Sequence, residues 1–176
     1  MLESASHLRL SLVCARGTPV ADMLAHSPSL PLIIDHLDQN CDLTAEDEEG
    51  IILALRHRDR VRRIRLRMPV SKLQKLVNAL DGEFPSLEYL YVMPQRYRRP
   101  ILGHEVSLNL PESFRAPHIC RLLLSRFAIP IGSPLLRTMG NLVTLSLSLI
   151  LRLLPPECFT PTTVTHASVG DIGDRL

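Results

Sequence analysis

Val61-Arg-Arg-Ile-Arg-Leu66 is the stretch of sequence that decides the fold. Its apolar residues follow the pattern apolar-x-x-apolar-x-apolar. The pattern recurs three times, as Leu87-Glu-Tyr-Leu-Tyr-Val92, Ile119-Cys-Arg-Leu-Leu-Leu124 and Leu142-Val-Thr-Leu-Ser-Leu147. Degenerate copies within residues 8–12 and 30–34 keep only the final apolar-x-apolar step. A short pattern that recurs in this way indicates a repeat architecture in which each copy supplies one strand.

The spacing of the copies indicates which repeat this is. The last apolar residues of the six copies are Leu12, Ile34, Leu66, Val92, Leu124 and Leu147, with a mean spacing of 27 residues. Leucine-rich repeats have periods of about 20–29 residues. We therefore predict an α/β fold, a short irregular leucine-rich-repeat solenoid with parallel strands on a concave face and helices or turns on a convex face.

The predicted domain covers residues 1–154. Its strands are expected near residues 8–13, 30–35, 61–67, 87–93, 119–125 and 142–148. Residues that can begin helices stand between these strands. They are Thr18 and Ser133, each followed by proline, Thr44 ahead of an acidic run, and Ser71, which opens a capping-box pattern with Gln74. Residues 155–176 are predicted to form a polar, disordered tail.

Composition narrows the class of protein further. The chain has 176 residues, 33 of them leucine, with no tryptophan and 4% aromatic residues, so one aliphatic core is expected. A net charge of +2 is too small to attract nucleic acid or acidic membrane by itself. The N-terminus lacks the apolar run of a signal peptide, and no apolar stretch is long enough to span a bilayer, so an intracellular location is expected.

The strand pattern predicts a binding face. Successive side chains in a strand point to opposite faces, so if Ile64 and Leu66 point into the core, the arginines between them point away from it. The same rule along the other copies gives a patch on the concave face, made of Arg63, Arg65, Arg67, Tyr89, Tyr91, Met93 and Arg121. Arginine and tyrosine are enriched in binding hot spots, so we predict that this patch binds a protein partner. The alternative is a solvated face without a binding role.

A basic run from Arg56 to Arg67 offers a second hypothesis, a patch that binds nucleic acid. The acidic residues 46–49 close by and the low net charge oppose it. Arg56, Arg58, Arg60 and Arg62 are predicted to fall at a helix end and the following turn, where arginine complements the helix dipole without any further role. We therefore do not expect nucleic acid to be the partner.

No catalytic or metal-binding motif is visible. Seven histidines and four cysteines are scattered along the chain, without the spacing of a zinc site or a nucleophile–base motif. Buried thiols are the simplest interpretation of the cysteines. We expect no enzymatic activity, no cofactor and no metal.

Several phrases resemble a known family. They are Gly17-Thr-Pro-Val-Ala-Asp-Met-Leu-Ala-His, Arg60-Val-Arg-Arg-Ile-Arg-Leu, Phe84-Pro-Ser-Leu-Glu-Tyr-Leu and Leu110-Pro-Glu-Ser-Phe-Arg-Ala-Pro-His. Over about residues 8–150 the chain is similar to the leucine-rich-repeat region of fungal, basidiomycete F-box proteins. The resemblance implies an interaction module that recruits a substrate to a ubiquitin ligase.

The F-box itself is expected to be missing, because the first repeat copy follows Met1 almost at once. The family's F-box docks on a Skp-type adaptor, so we do not expect this chain to bind that adaptor. A third hypothesis is that the chain is a truncated paralogue without retained function.

Overall fold

A computed structural model describes residues 11–27, 30–37, 43–95, 107–129 and 133–148. The chain is an α/β protein with a six-stranded, entirely parallel sheet, confirming the predicted class at that level. The strands of this sheet are β1 (Leu12–Cys14), β2 (Leu32–His36), β3 (Val61–Met68), β4 (Tyr89–Pro94), β6 (Arg121–Ser125) and β8 (Thr144–Ser148). They stand side by side in the order in which the chain visits them.

The connections between these strands carry the helices. The helices are α1 (Val20–His26), α2 (Ala45–Arg56), α3 (Val70–Asn78) and the short α4 (Pro134–Thr138). A second, two-stranded parallel sheet joins β5 (Leu108–Asn109) to β7 (Phe127–Ala128). No helix in the described part of the chain is long and apolar enough to cross a membrane.

The core lies against one face of the large sheet. Every apolar residue of the first three full copies of the repeat pattern is buried, at 2% exposure or less. Helices cover this face, because α2 adds Ile51 and Leu55 and α3 adds Leu73 and Leu76 to the same hydrophobic cluster. The arginines that alternate with Ile64 and Leu66 are exposed or half-buried on the opposite face.

Strands β2, β4, β6 and β8 each begin two residues later than predicted, and for β4 and β6 a turn explains the later start. The amide of Leu87 donates to the carbonyl of Phe84, and the amide of Ile119 donates to the carbonyl of Ala116, each at 3.2 Å. A proline follows the first residue of each four-residue turn, where its fixed φ fits. Leu87 and Ile119 therefore fill the core from a turn, and the strands start two residues later, at Tyr89 and Arg121.

The last apolar residues of the first two copies do not pair with the last apolar residue of the next copy. Leu66 pairs with His36, and Ile34 pairs with Cys14 and Ile64. The shift is two residues, which preserves the face to which each side chain points. Because a histidine holds the inward position 36, the apolar pattern ends at Ile34 and does not show that β2 continues to residue 36. The predicted start of the first strand, residues 8–10, lies outside the described residues.

Helix capping follows the predictions only in part. Thr44 caps α2, accepting a hydrogen bond from the Asp47 amide at 3.1 Å, and Ser133 stands at the N-cap of α4. Thr18 and Ser71 are not caps, since prolines occupy the N-cap positions of α1 and α3. The Thr18 hydroxyl accepts instead from the Ala15 amide at 3.1 Å, within the loop that precedes α1.

The last described strand is poorly covered. Leu145 of β8 stands opposite the buried Leu122 but is 47% exposed. No described strand pairs with the outer edge of β8. The predicted tail, residues 155–176, lies outside the described residues.

Candidate functional site

The face of the large sheet that α2 and α3 leave uncovered is the candidate site. We call it the open face and define it by the predicted patch residues together with two neighbours. Its members are Asp35, Arg63, Arg65, Arg67, Tyr89, Tyr91, Met93, Arg121 and Leu123.

The strand register brings the predicted residues together. Arg63 pairs with Tyr89, which pairs with Arg121. In the next row Arg65 pairs with Tyr91. Neighbouring strands lie about 4.8 Å apart, so the side chains of each row are in contact range. The predicted adjacency of arginines and tyrosines is confirmed.

Arg63 and Tyr89 interact directly. The guanidinium carbon of Arg63 lies 5.4 Å from the centre of the Tyr89 ring, within the range of a cation–π contact. Such a contact at an exposed site contributes about 0.5–1 kcal/mol. It holds both side chains against the sheet, and the Arg63 guanidinium keeps its hydrogen-bonding edge free for a ligand.

The structure adds Asp35, which the sequence analysis missed. Asp35 lies opposite Arg65 in the β2–β3 register, and its carboxylate is 3.0 Å from the Arg65 guanidinium. The spacing of the copies does not reveal this pair, because a register irregularity next to Leu32 brings the two residues together. Asp35 alternates with the buried Ile34 and His36, and this alternation was the available signal.

Two arginines of the open face carry unmet hydrogen-bonding capacity. The Nε atoms of Arg65 and Arg67 are buried without an acceptor. Arg65 has a partner in Asp35 through its terminal nitrogen, whereas Arg67 has no ion pair or hydrogen bond with any described side chain. A buried donor without an acceptor costs about 1–3 kcal/mol, more when it is charged.

An apolar strip borders the arginines. The hydroxyl of Tyr91 lies 3.3 Å from the sulfur of Met93, and both side chains are half-buried. Leu123 stands beside Tyr91 on the next strand and is half-buried as well. The open face therefore has a column of arginines along β3 and an apolar strip on β4 and β6.

The electrostatics of the open face are strongly one-sided. Four arginines, residues 63, 65, 67 and 121, face one carboxylate, Asp35, which gives a formal charge of +3 on this face. The whole chain carries only +2. Positive charge is therefore concentrated on the open face.

Most of the basic run from Arg56 to Arg62 is engaged within the chain, and Arg62 lies in β3 rather than in the turn predicted for it. Arg58 lies 3.7 Å from Asp81, and Arg62 lies 3.6 Å from Glu88. Arg60 donates to the carbonyl oxygens of Ser27 and Leu30 at 2.6 and 3.0 Å, joining the loop before β2 to the turn before β3. These arginines stabilise contacts between segments of the chain itself. Their engagement argues against a continuous nucleic-acid-binding surface across residues 56–67.

A cleft of about 350 Å³ lies between the starts of α1 and α2. Asp22, Glu46, Asp47 and Glu49 line it, so its charge is opposite to that of the open face. Burial raises the pKa of the Asp47 carboxyl group, but hydrogen bonds from Gly17 and Thr44 outweigh this effect and leave the pKa below its ordinary value of 3.8. Asp47 is therefore a structural anion.

The described residues include no group of three histidine, cysteine or acidic side chains placed to hold a metal ion. Cys14 is buried, which raises the pKa of its thiol, and Cys120 is half-buried. Cys41 and Cys158 lie outside the described residues.

Comparisons of the chain with protein families, with curated proteins and with solved structures gave no match.

Proposed function

We propose that the chain is a leucine-rich-repeat solenoid that acts as a non-catalytic protein-interaction module and binds its partner through the open face. The role corresponds to that of the substrate-recognition region of the F-box ubiquitin-ligase subunits that the sequence resembles. Strand order supports the solenoid, because each new parallel strand is added beside the previous one in chain order.

The single observation that carries the binding role is that, among the described residues, one face of the parallel sheet stays polar and only half-buried, with Arg63 and Arg121 exposed. Parallel sheets are ordinarily covered on both faces, and their strands are then apolar on both sides. Here β3 and β4 alternate buried aliphatic residues with Arg63, Arg65, Tyr89 and Tyr91 on the uncovered side. Arginine and tyrosine supply large contact areas and directional hydrogen bonds, as interface hot spots do.

The interactions already present on the open face favour binding. The Arg63–Tyr89 stack and the Arg65–Asp35 ion pair hold four side chains in place before a partner arrives. Side chains that are ordered in the free protein lose less conformational entropy on association. A solvated face without a binding role would need no such order.

The test is a pull-down that compares the natural chain with a variant carrying Arg63→Ala, Arg65→Ala, Tyr89→Ala and Tyr91→Ala. A matched control carries Arg56→Ala and Arg137→Ala, which remove two exposed arginines from the helices. We expect the four-residue variant to lose specific partners that the natural chain and the control retain. Identical partner sets for all three proteins would refute the binding role of the open face.

A further inference from the structure

We propose that the open face binds an extended acidic segment of its partner, with carboxylates on alternate residues lying along β3. This inference rests on the proposed function and specifies the chemistry of the partner. It follows from the spacing of the arginines, from their unmet hydrogen bonds and from the charge of the open face.

The arginines form a column along one strand. Arg63, Arg65 and Arg67 alternate on β3, so their Cα atoms are about 6.6 Å apart. An extended peptide repeats its side chains on one face at the same interval. Acidic residues at every second position of such a peptide therefore match the column.

Arg67 is the arginine of the column with the largest unmet hydrogen-bonding capacity. Its Nε has no acceptor, and its guanidinium has no partner among the described residues. A carboxylate can accept two parallel hydrogen bonds from one guanidinium. Binding would reorient the Arg67 side chain and supply an acceptor to a donor that now has none, without breaking an existing ion pair.

Arg63 and Arg65 complete the column in different ways. Arg63 is already held against the Tyr89 ring, with its guanidinium 5.4 Å from the ring centre. Arg65 shares its charge with Asp35, which leaves its Nε without an acceptor. After this pairing, the positive charge of the column that is not neutralised lies on Arg63 and Arg67. We therefore expect a carboxylate opposite either of these two arginines to contribute more to the affinity than one opposite Arg65.

The surroundings of the column favour a peptide over a nucleic acid. Asp35 pairs with Arg65 and interrupts the continuous positive charge that a phosphate backbone requires. Tyr91, Met93 and Leu123 provide an apolar strip next to the arginines. Interfaces with nucleic acid are more uniformly positive than this surface.

A second copy of the chain is the alternative occupant that the test distinguishes, since the cleft between α1 and α2 is lined by acids.

The test uses a fluorescent peptide of alternating glutamate and serine, as long as the eight residues of β3. Its affinity for the full chain is measured by fluorescence anisotropy at low salt. Two comparison peptides are used. One has the same composition with the glutamates in one block, and the other has glutamine in place of each glutamate. We expect the alternating peptide to bind most tightly, with an affinity that falls as salt rises.

Variants locate the binding. Arg67→Gln and Arg63→Gln should each weaken the binding of the alternating peptide by roughly tenfold, because each variant loses a charge-assisted hydrogen bond to a carboxylate. Arg67→Lys keeps the charge but loses the paired geometry and should also weaken binding. The control Arg56→Gln removes an exposed arginine from the end of α2 and should leave the affinity unchanged.

Each other outcome overturns the proposal. Equal binding of the blocked peptide would refute the extended arrangement. Tighter binding of a single-stranded oligonucleotide, lost in the same variants, would favour nucleic acid. An oligomer that light scattering detects and that Arg67→Gln dissociates would show that the occupant is a second copy of the chain. If no peptide binds but the pull-down partners are still lost in the open-face variant, the partner is not acidic and the proposed function stands.

Discussion

Asp47 accepts a hydrogen bond from the backbone amide of Gly17 at 2.8 Å, across thirty positions of sequence. The second carboxylate oxygen of Asp47 accepts from the hydroxyl of Thr44, also at 2.8 Å. One buried side chain thus joins the loop after β1 to the N-terminus of α2. Since its negative charge also lies at the positive end of the helix, Asp47 stabilises the junction between this loop and α2 in two ways.

Replacing Asp47 should destabilise the protein. Asp47→Ala leaves the Gly17 amide and the Thr44 hydroxyl without their acceptor, and we expect the free energy of unfolding to fall by about 1–3 kcal/mol. Chemical denaturation followed by circular dichroism measures this change. Glu46→Ala is the control, because Glu46 is exposed and should change stability by no more than about 0.5 kcal/mol. Equal losses in both variants would contradict the structural role of Asp47.

Gly17 should resist substitution for a conformational reason. Its φ is +69°, in the left-handed region, and a Cβ added there would meet no atom within 4 Å. Gly17→Ala should therefore cost about 1–2 kcal/mol through the backbone alone. Gly140→Ala is a matched control, since that Cβ also meets nothing and the φ of Gly140 is not positive. A melt in which both variants behave alike would show that the turn at Gly17 is not constrained.

The part of the fold that could be predicted from sequence is the part set by alternation. Ile64 and Leu66 share one buried face, and the arginines that alternate with them share the other, because side chains in a strand repeat every two residues. Local periodicity of this kind is a property of the chain itself. It also predicted the neighbours Arg63 and Tyr89 correctly, because the full repeat copies align without a gap.

Features that depend on contacts distant in sequence were missed. Asp35 and Arg65 are thirty residues apart, and a register irregularity next to Leu32 decides that they meet. Ser71 and Gln74 match a capping box, yet Gln74 binds the backbone of Asn109, thirty-five residues away. Such pairings follow from tertiary packing, which overrides the local signal.

Two adjacent leucines test which face of the sheet is buried. Leu122 points into the core and is fully buried, whereas Leu123 is half-buried on the open face. Leu122→Ala should lower the free energy of unfolding by about 2–5 kcal/mol through lost burial and a cavity. Leu123→Ala should cost much less, since water already reaches that side chain. Similar losses measured by urea denaturation would mean that the assigned faces of β6 are wrong.

His36 should make stability depend on pH. It occupies an inward position at the end of β2 and is 8% exposed. Burial lowers the pKa of His36 below its ordinary value of 6.5, although the negative charges of Asp47 and Asp35 act in the opposite direction. The folded state therefore holds a proton on His36 less readily than the unfolded state does.

The direction of the effect follows from this difference in proton binding. The unfolded state gains a proton as the pH falls through 6.5, while folded His36 stays neutral until its lower pKa is reached, so the free energy of unfolding decreases across that interval. Denaturation at a series of pH values measures this slope. His36→Leu places an apolar side chain that cannot titrate at the inward position and should abolish the slope between pH 6.5 and the lowered pKa. A slope that persists unchanged in the leucine variant would assign the titration to another group, because Asp47 contributes only as the pH falls below 3.8.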